Sequence, residues 1–323
     1  MNENLPNNIP LEEAQFLVNP QELGSYCHCP SIMCSSNGDL WAIWYGYPEE
    51  EYSGAKLVLS VKRAGQQEWE KSRIIFEDQK YSAGNPVLVE NAQGRVFLYF
   101  VLLKGAYWND AVLFEAWSDD RGFTWSLPVQ ISSQRGMMVR HAPLICENGA
   151  FILGAYDESK RLSVLLTKHP SEEKWEESYR FEGLELIQMS IVKQGEERLT
   201  GFFRPCSEPK KIWRTLSNDG GKTWTSPVAT QLPNPLSGLA ACSVGNAISV
   251  IYNHTEAHQR YPLSLSITED RGVTWKGPLQ IDPVPLEVSY PSVVAGKDGY
   301  LYGLYTYNRK MIKFVKIRAS QIV

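Results

Sequence analysis

The chain alternates short runs of β-branched and aromatic residues with clusters of Gly, Asn, Asp and Ser, the pattern of strands closed by tight turns. The runs fall into six sets of three. Opening runs read CPSIMCS from Cys29, NPVLVEN from Asn85, APLICEN from Ala142, QMSIVKQ from Gln188, GLAACSV from Gly238 and YPSVVAG from Tyr290. A second run follows each after a short turn, as in DLWAIWYG, RVFLYFVL and AFILGAYD, and a third follows after a longer loop, as in AKLVLSVKR, DAVLFEAWS and LSVLLTKHP. The sixth set ends after Ile317, so its fourth strand is expected from the N-terminal segment around Ala14 to Asn19. Such a clasp closes a ring and removes an exposed strand edge.

An octapeptide marks the period. Ser118 to Trp125 (SDDRGFTW), Ser217 to Trp224 (SNDGGKTW) and Thr268 to Trp275 (TEDRGVTW) share the form Ser/Thr-x-Asp-x-Gly-x-Thr-Trp, and degenerate copies end at Trp69 and Trp175. The five tryptophans are 56, 50, 49 and 51 residues apart, the length of one propeller blade. Asp and Gly shape the turn, Ser or Thr bonds the local backbone, and Trp is expected in the gap between neighbouring sheets. The octapeptide is a folding staple, and the expected fold is an all-β, six-bladed β-propeller occupying residues 1–323 as one domain.

That geometry locates a site before any chemistry is considered. In an up-and-down blade the starts of first strands and the loops from second to third strands share one end of the ring, where propeller ligands bind. His28, Asn85, His141, Gln188, Ser237 and Tyr290 open the first strands. The loops add Tyr47 with Glu49, Glu50 and Glu51, Tyr107 with Trp108, Asp157 with Glu158, Arg204, Asn253 with His254 and Arg260, and Tyr307 with Arg309. Arg204 and Arg260 carry most weight, because a planar guanidinium grips a carboxylate bidentately.

Composition narrows the ligand. With 323 residues, 43% of them hydrophobic, the chain can bury a large core. The net charge is −4 and no stretch concentrates Lys or Arg, so neither nucleic acid nor a membrane surface is an expected partner. MNENLPNNIP lacks the basic and apolar regions of a leader, and no apolar run approaches the roughly 18 residues of a spanning helix, so a cytoplasmic location is expected. The six cysteines lack paired CxxC spacing and read as reduced thiols. His28, His141 and His254 lack the spacing of metal ligands, and neither a metal nor another cofactor is expected.

The octapeptides, their spacing, and the segments CHCPSIMCSSNGDLWAIWYG (from Cys27), LPNPLSGLAA (from Leu232), IYNHTEAHQRYPLSLSITEDRGVTW (from Ile251) and SYPSVV (from Ser289) resemble the sialidase (neuraminidase) superfamily, in its branch with Asp-box repeats. The resemblance runs from about Tyr26 to Ile317. It implies three arginines on a substrate carboxylate, a Tyr nucleophile assisted by a Glu, and an Asp that protonates the leaving group. Arg204 and Arg260 match the arginines of the fourth and fifth blades, and Tyr290 matches the nucleophile. Three positions depart: His28 stands for the first arginine, Gln188 for the Glu, and no Asp near Lys56 matches the acid, for which Glu49, Glu50 or Glu51 in the adjoining loop are substitutes.

Three functions follow from this set. The first is a sialidase-like glycoside hydrolase for an anionic, carboxylated sugar. Arg204 and Arg260 bind the anion, Tyr290 acts covalently, His28 moves protons, and Asn85, His141, Asp157, Gln188, Ser237, Asn253, Tyr307 and Arg309 contact the substrate. The second is a uronate lyase using the same Arg, His and Tyr groups around an enolate. The third is a carbohydrate-binding propeller without chemistry.

Overall fold

The strand pattern resolves into six antiparallel sheets arranged as the blades of a β-propeller. The computed structural model describes residues 8–17, 25–48 and 54–322. Blade 1 runs Tyr26–Cys34, Leu40–Tyr47, Lys56–Lys62 and Arg73–Phe76, and blade 2 runs Ser82–Glu90, Val96–Leu103, Ala111–Ser118 and Val129–Gln130. Blade 4 is built from Leu186–Lys193, Leu199–Pro205, Lys211–Ser217 and Val228–Pro233, and blade 5 from Ala240–Val244, Ala247–Asn253, Leu263–Thr268 and Lys276–Asp282. Among the described residues no helix is long and apolar enough to cross a membrane.

Blade 6 closes the ring. Its own strands are Val288–Ala295, Tyr300–Tyr307 and Met311–Arg318, and the fourth is Glu13–Phe16, paired antiparallel so that Ala14 faces Val315. The expected clasp therefore forms; the remainder of its expected span, from Val18, lies outside the described residues. The inner strands of successive blades pack side by side, and that of blade 6 meets that of blade 1. Cys29 N donates to Thr306 Oγ1 (3.0 Å) and Ile32 N to Ser292 Oγ (3.1 Å) across that joint.

Blade 3 corrects the strand reading. Its inner strand does not start at Ala142 but is split into Met137–Val139 and Leu144–Ile145, which pair with opposite ends of Phe151–Asp157, ahead of Leu162–Lys168 and Glu176–Arg180. The four residues between the two pieces, Arg140 to Pro143, leave the ladder at the axis.

The octapeptide turns work as wedges. In the first, Ser118 Oγ accepts from Gly122 N (2.8 Å), and Asp120 accepts from Thr124 N and Thr124 Oγ1 (2.6 Å). The same bonds recur at Ser217 with Asp219 and at Thr268 with Asp270. Gly122 has φ +81°, and a Cβ there would lie 2.6 Å from Trp41 of blade 1, so glycine is required twice over. Each closing tryptophan meets the preceding blade: Trp69 packs on Phe314 (5.2 Å between ring centres), Trp175 on Tyr99 (5.6 Å), Trp224 on Phe181 (6.0 Å) and Trp275 on Phe202 (5.8 Å), while Trp125 joins the blade 1 core. All six cysteines are free.

Candidate functional site

Four inner strands break register at matching places, between His28 and Ser31, Gly84 and Val87, Ile187 and Ser190, and Ser289 and Ser292. At each break one residue takes a left-handed backbone: Cys29 (φ 55°), Asn85 (φ 47°), Gln188 (φ 55°) and Tyr290 (φ 51°). This conformation costs a non-glycine residue about 1–2 kcal/mol, and a bulge re-aims the side chain. The repeated strain turns these groups inward. The blade 1 residue in register with Tyr290 is thus Cys29, one position beyond His28.

Asn85, Gln188 and Tyr290 line a cavity of about 120 Å³ together with His28, Tyr45, Trp108, Met138, Tyr156, Glu158, Arg204 and Arg309, while Cys29 packs in the core beside it. Inner-strand starts and second-to-third turns therefore meet at one end of the axis. Gly238 of blade 5 makes room, since a Cβ there would lie 3.2 Å from Tyr290 Cδ1 and 3.4 Å from Gln188 Oε1. Larger recesses of about 490 and 820 Å³ lie elsewhere, where Lys62 is paired with Glu13 and Lys168 with Glu115.

Tyr290 stands at the centre. Arg204 Nη1 donates to its phenol oxygen (2.9 Å) and to Gln188 Oε1 (3.3 Å), and the guanidiniums of Arg260, Arg140 and Arg204 lie 5.3, 5.6 and 5.8 Å from the centre of its ring. Enclosure pushes the phenol pKa up, but the charges of Arg204 and Arg260 and the Arg204 hydrogen bond outweigh it, and Tyr290 titrates below the ordinary tyrosine range. Asn85 and Gln188 both donate to Tyr156 Oη at 3.2 Å.

His28 packs edge-on against Tyr290 (4.5 Å), with Nδ1 buried and unpartnered among the described residues. Burial, then the charges of Arg309, Arg260, Arg140 and Arg204, hold its pKa well below the usual histidine value, so the ring is neutral at pH 7.

Glu287 organises two of the cations. Its carboxylate accepts from Arg260 Nη1 (3.1 Å), Arg309 Nε (2.8 Å) and Ser289 Oγ (2.7 Å). Burial alone would raise its pKa; the Arg309 and Ser289 hydrogen bonds and the charges of Arg309 and Arg260 override that and lower it. Arg140, buried beneath the site, donates to the main-chain oxygens of Pro30 (3.2 Å), Tyr290 (2.7 Å) and Pro291 (2.7 Å).

Five residues expected at the site have other surroundings. Asp157 is fully buried, and its carboxylate accepts from the Gln134 side chain and from Ser159 N (3.0 Å) and Lys160 N (3.1 Å), which makes it the frame of its turn. Asn253 Nδ2 donates to the carbonyls of Pro262 (3.2 Å) and Val288 (2.8 Å), joining blades 5 and 6, while its Oδ1 is buried and unpartnered among the described residues. Ser237 is fully buried, with its N and O both bonded by the Asn234 side chain. Tyr307 packs on Phe16 (5.1 Å) and Lys313 (5.4 Å) at the clasp. His141 does not line the cavity; burial and the Arg140 charge keep its pKa well below the histidine value. Glu49, Glu50 and Glu51 lie outside the described residues.

Sequence reasoning missed Arg140, Tyr156 and Glu287. A lone arginine directly after the apolar MMV run carried a signal for the first, since a charge beside a buried strand must find partners.

Residues 38–302 match the family model of the BNR repeat-like domain. Among solved structures, the chain is similar to the NanB sialidase from Streptococcus pneumoniae (TM-score 0.83, 11% identity, 98% of this chain and 72% of that one). It is also similar to the intramolecular trans-sialidase from Ruminococcus gnavus (0.75, 14%, 98% and 98%) and to a Dyadobacter fermentans protein described as of unknown function (0.80, 16%, 96% and 98%). At these identities the likeness shows the fold. No curated protein matches the chain.

Proposed function

The chain belongs to the BNR repeat-like family, and from that premise we propose that it is a sialidase-like glycoside hydrolase that binds a carboxylated sugar at the hub of its propeller. The observation that carries this reading is the convergence of three guanidiniums on Tyr290 in a protein whose net charge is −4. Arg204 lines the cavity and has no carboxylate partner among the described residues, a cation that a ligand carboxylate would pair. A cavity of about 120 Å³ has the volume of about four waters, so it takes one edge of a sugar ring and leaves the rest at the mouth beside Trp108. Tyr290, with its lowered pKa, supplies the nucleophile at the anomeric carbon.

The test has a binding and a chemical arm. N-acetylneuraminate and glucuronate should raise the melting temperature while neutral glucose does not, and Arg204→Ala should remove the shift. The 4-nitrophenyl glycosides of the same acids should be cleaved, and Tyr290→Phe should abolish turnover while leaving affinity within about threefold, as expected for a group acting only in the transition state. Equal binding of glucose, or full activity in Tyr290→Phe, refutes the reading.

One observation favours a second reaction. Gln188 occupies the place beside Arg204 where a base for Tyr290 is expected, and an amide takes no proton. In an elimination Tyr290 takes the proton adjacent to the carboxylate, and Arg204 and neutral His28 stabilise the enolate. The C–O bond at the β-carbon breaks with its electron pair leaving on the glycosidic oxygen, so no base for an attack by Tyr290 is needed. Ultraviolet absorbance rising on uronate polymers, without glycoside hydrolysis, identifies a lyase.

A further inference from the structure

We propose that Glu158, on the turn between the second and third strands of blade 3, is the acid–base carboxyl of this site, the group that protonates the departing glycoside oxygen. The inference rests on the hydrolytic reading above. Glu158 is the one carboxyl among the described residues that line the cavity with Tyr290 and Arg204. Its turn is rigidly built: Asp157 caps Ser159 N and Lys160 N, and Glu158 N donates to Gly136 O (2.9 Å). The buried carboxylate of Asp157 is thereby consumed in holding its neighbour at the cavity wall.

Two carboxyls at the hub, Glu158 and Glu287, are driven apart. Glu287, between Arg260 and Arg309, is held ionised. Glu158 is pushed the other way: burial raises its pKa and Asp157 adds to this, against the lowering charges of Arg204 and Arg161. Tyr156 and Cys206 face it as neutral groups, their own pKa values raised by burial. Of the two, Glu158 therefore keeps its proton to higher pH than Glu287, the order an acid and a fixed anion require.

The reaction balances with these groups. The Tyr290 phenolate, stabilised by Arg204 and Arg260, forms a bond from its oxygen to the anomeric carbon. The glycosidic C–O bond breaks, its electron pair goes to the leaving oxygen, and that oxygen takes the Glu158 proton. Water then adds to the anomeric carbon and gives its proton to the Glu158 carboxylate as the Tyr290 C–O bond breaks, restoring the phenolate.

Glu158→Gln separates this role from a structural one. With the methyl glycoside of N-acetylneuraminic or glucuronic acid, kcat/KM should fall about 10²–10⁴-fold, the range of general acid catalysis. With the 4-nitrophenyl glycoside, whose leaving group departs as the anion, the loss in formation of the covalent intermediate should stay within about tenfold, and azide should trap that intermediate as glycosyl azide. Glu158→Asp should regain part of the methyl-glycoside activity, which controls for folding. Equal losses on both substrates, or none on either, overturn the assignment while leaving the hydrolytic reading intact. A wild-type protein that binds the acids but cleaves neither glycoside removes the hydrolytic reading and this role together.

Discussion

Replacing Arg140 by Met should loosen the hub and misplace Tyr290. Arg140 is 1% exposed, and its guanidinium donates to three main-chain oxygens contributed by blades 1 and 6, bridging from blade 3 across the axis. Hydrogen bonds from a charged donor contribute about 1.5–3 kcal/mol each, so the three are worth roughly 5–9 kcal/mol gross. Against this stands the cost of keeping a cation from water, several kcal/mol, which the Met variant recovers. A net loss of about 2–4 kcal/mol remains. Unfolding entropy near 2.1 cal/mol/K per residue amounts to about 0.7 kcal/mol/K for 323 residues, so the melting temperature should drop by roughly 3–6 °C in calorimetry. Turnover should suffer more than stability, because two of the bonds hold Tyr290 and Pro291 where the backbone is strained (φ 51°), and a displacement of about 1 Å costs about 10²-fold. Lys at 140 keeps the charge without the fork and should fall between the two. An Arg140→Met protein that melts within about 1 °C of wild type and turns over normally would show that the clamp holds nothing.

Asp120, Asp219 and Asp270 are held at pKa about 2 in the folded protein, the first two chiefly by hydrogen bonds from Thr124 and Thr223, and Asp270 by those from Thr274 and Thr268 against the opposing effect of burial. Since an unfolded Asp titrates near 3.9, their stabilisation is present above about pH 4 and is lost as pH falls towards 2; the triple Asn variant should show a flatter melting temperature across that window. Gln188→Glu should raise hydrolysis of the 4-nitrophenyl glycosides by about tenfold or more if the missing base limits the attack by Tyr290, and should leave elimination from a uronate unchanged.

The wheel was legible because a closed ring repeats its demands: one turn, one wedge and one inner strand per fifty residues, so each copy corroborates the others. The hub was half legible for the opposite reason. A polar residue at a strand end satisfies stranded backbone groups as readily as it faces a ligand, and sequence does not distinguish these uses; Asn253 bonds two carbonyls and Asp157 two amides for that reason. Arg140 was hidden by a register error in blade 3, where the run from Ala142 looked like a whole inner strand and the true one begins at Met137. Glu287 lies three residues before Tyr290 and bears no mark of its own until the fold brings Arg260 and Arg309 against it.

The distribution of charge at the hub also bears on how many anionic groups a ligand carries there. Four guanidiniums, from Arg140, Arg204, Arg260 and Arg309, converge on a small volume, and left alone they would repel one another and any further cation. Glu287 offsets the Arg260 and Arg309 pair and fixes the direction of both forks. Arg140 is turned into main-chain carbonyls below the Tyr290 ring, out of reach of the cavity mouth. Among the described residues, Arg204 is left as the cation that lines the cavity with no carboxylate bonded to it, one hand on the phenol and a buried Nε without an acceptor. A site with one such fork is matched to one carboxylate rather than to a doubly charged phosphate or sulfate ester, because a second negative charge would have to compete with Glu287 for arginines already bonded to its two oxygens. Inorganic sulfate and phosphate should therefore compete poorly with a monocarboxylate sugar for the hub, and Glu287→Gln should narrow that gap by releasing Arg260 and Arg309.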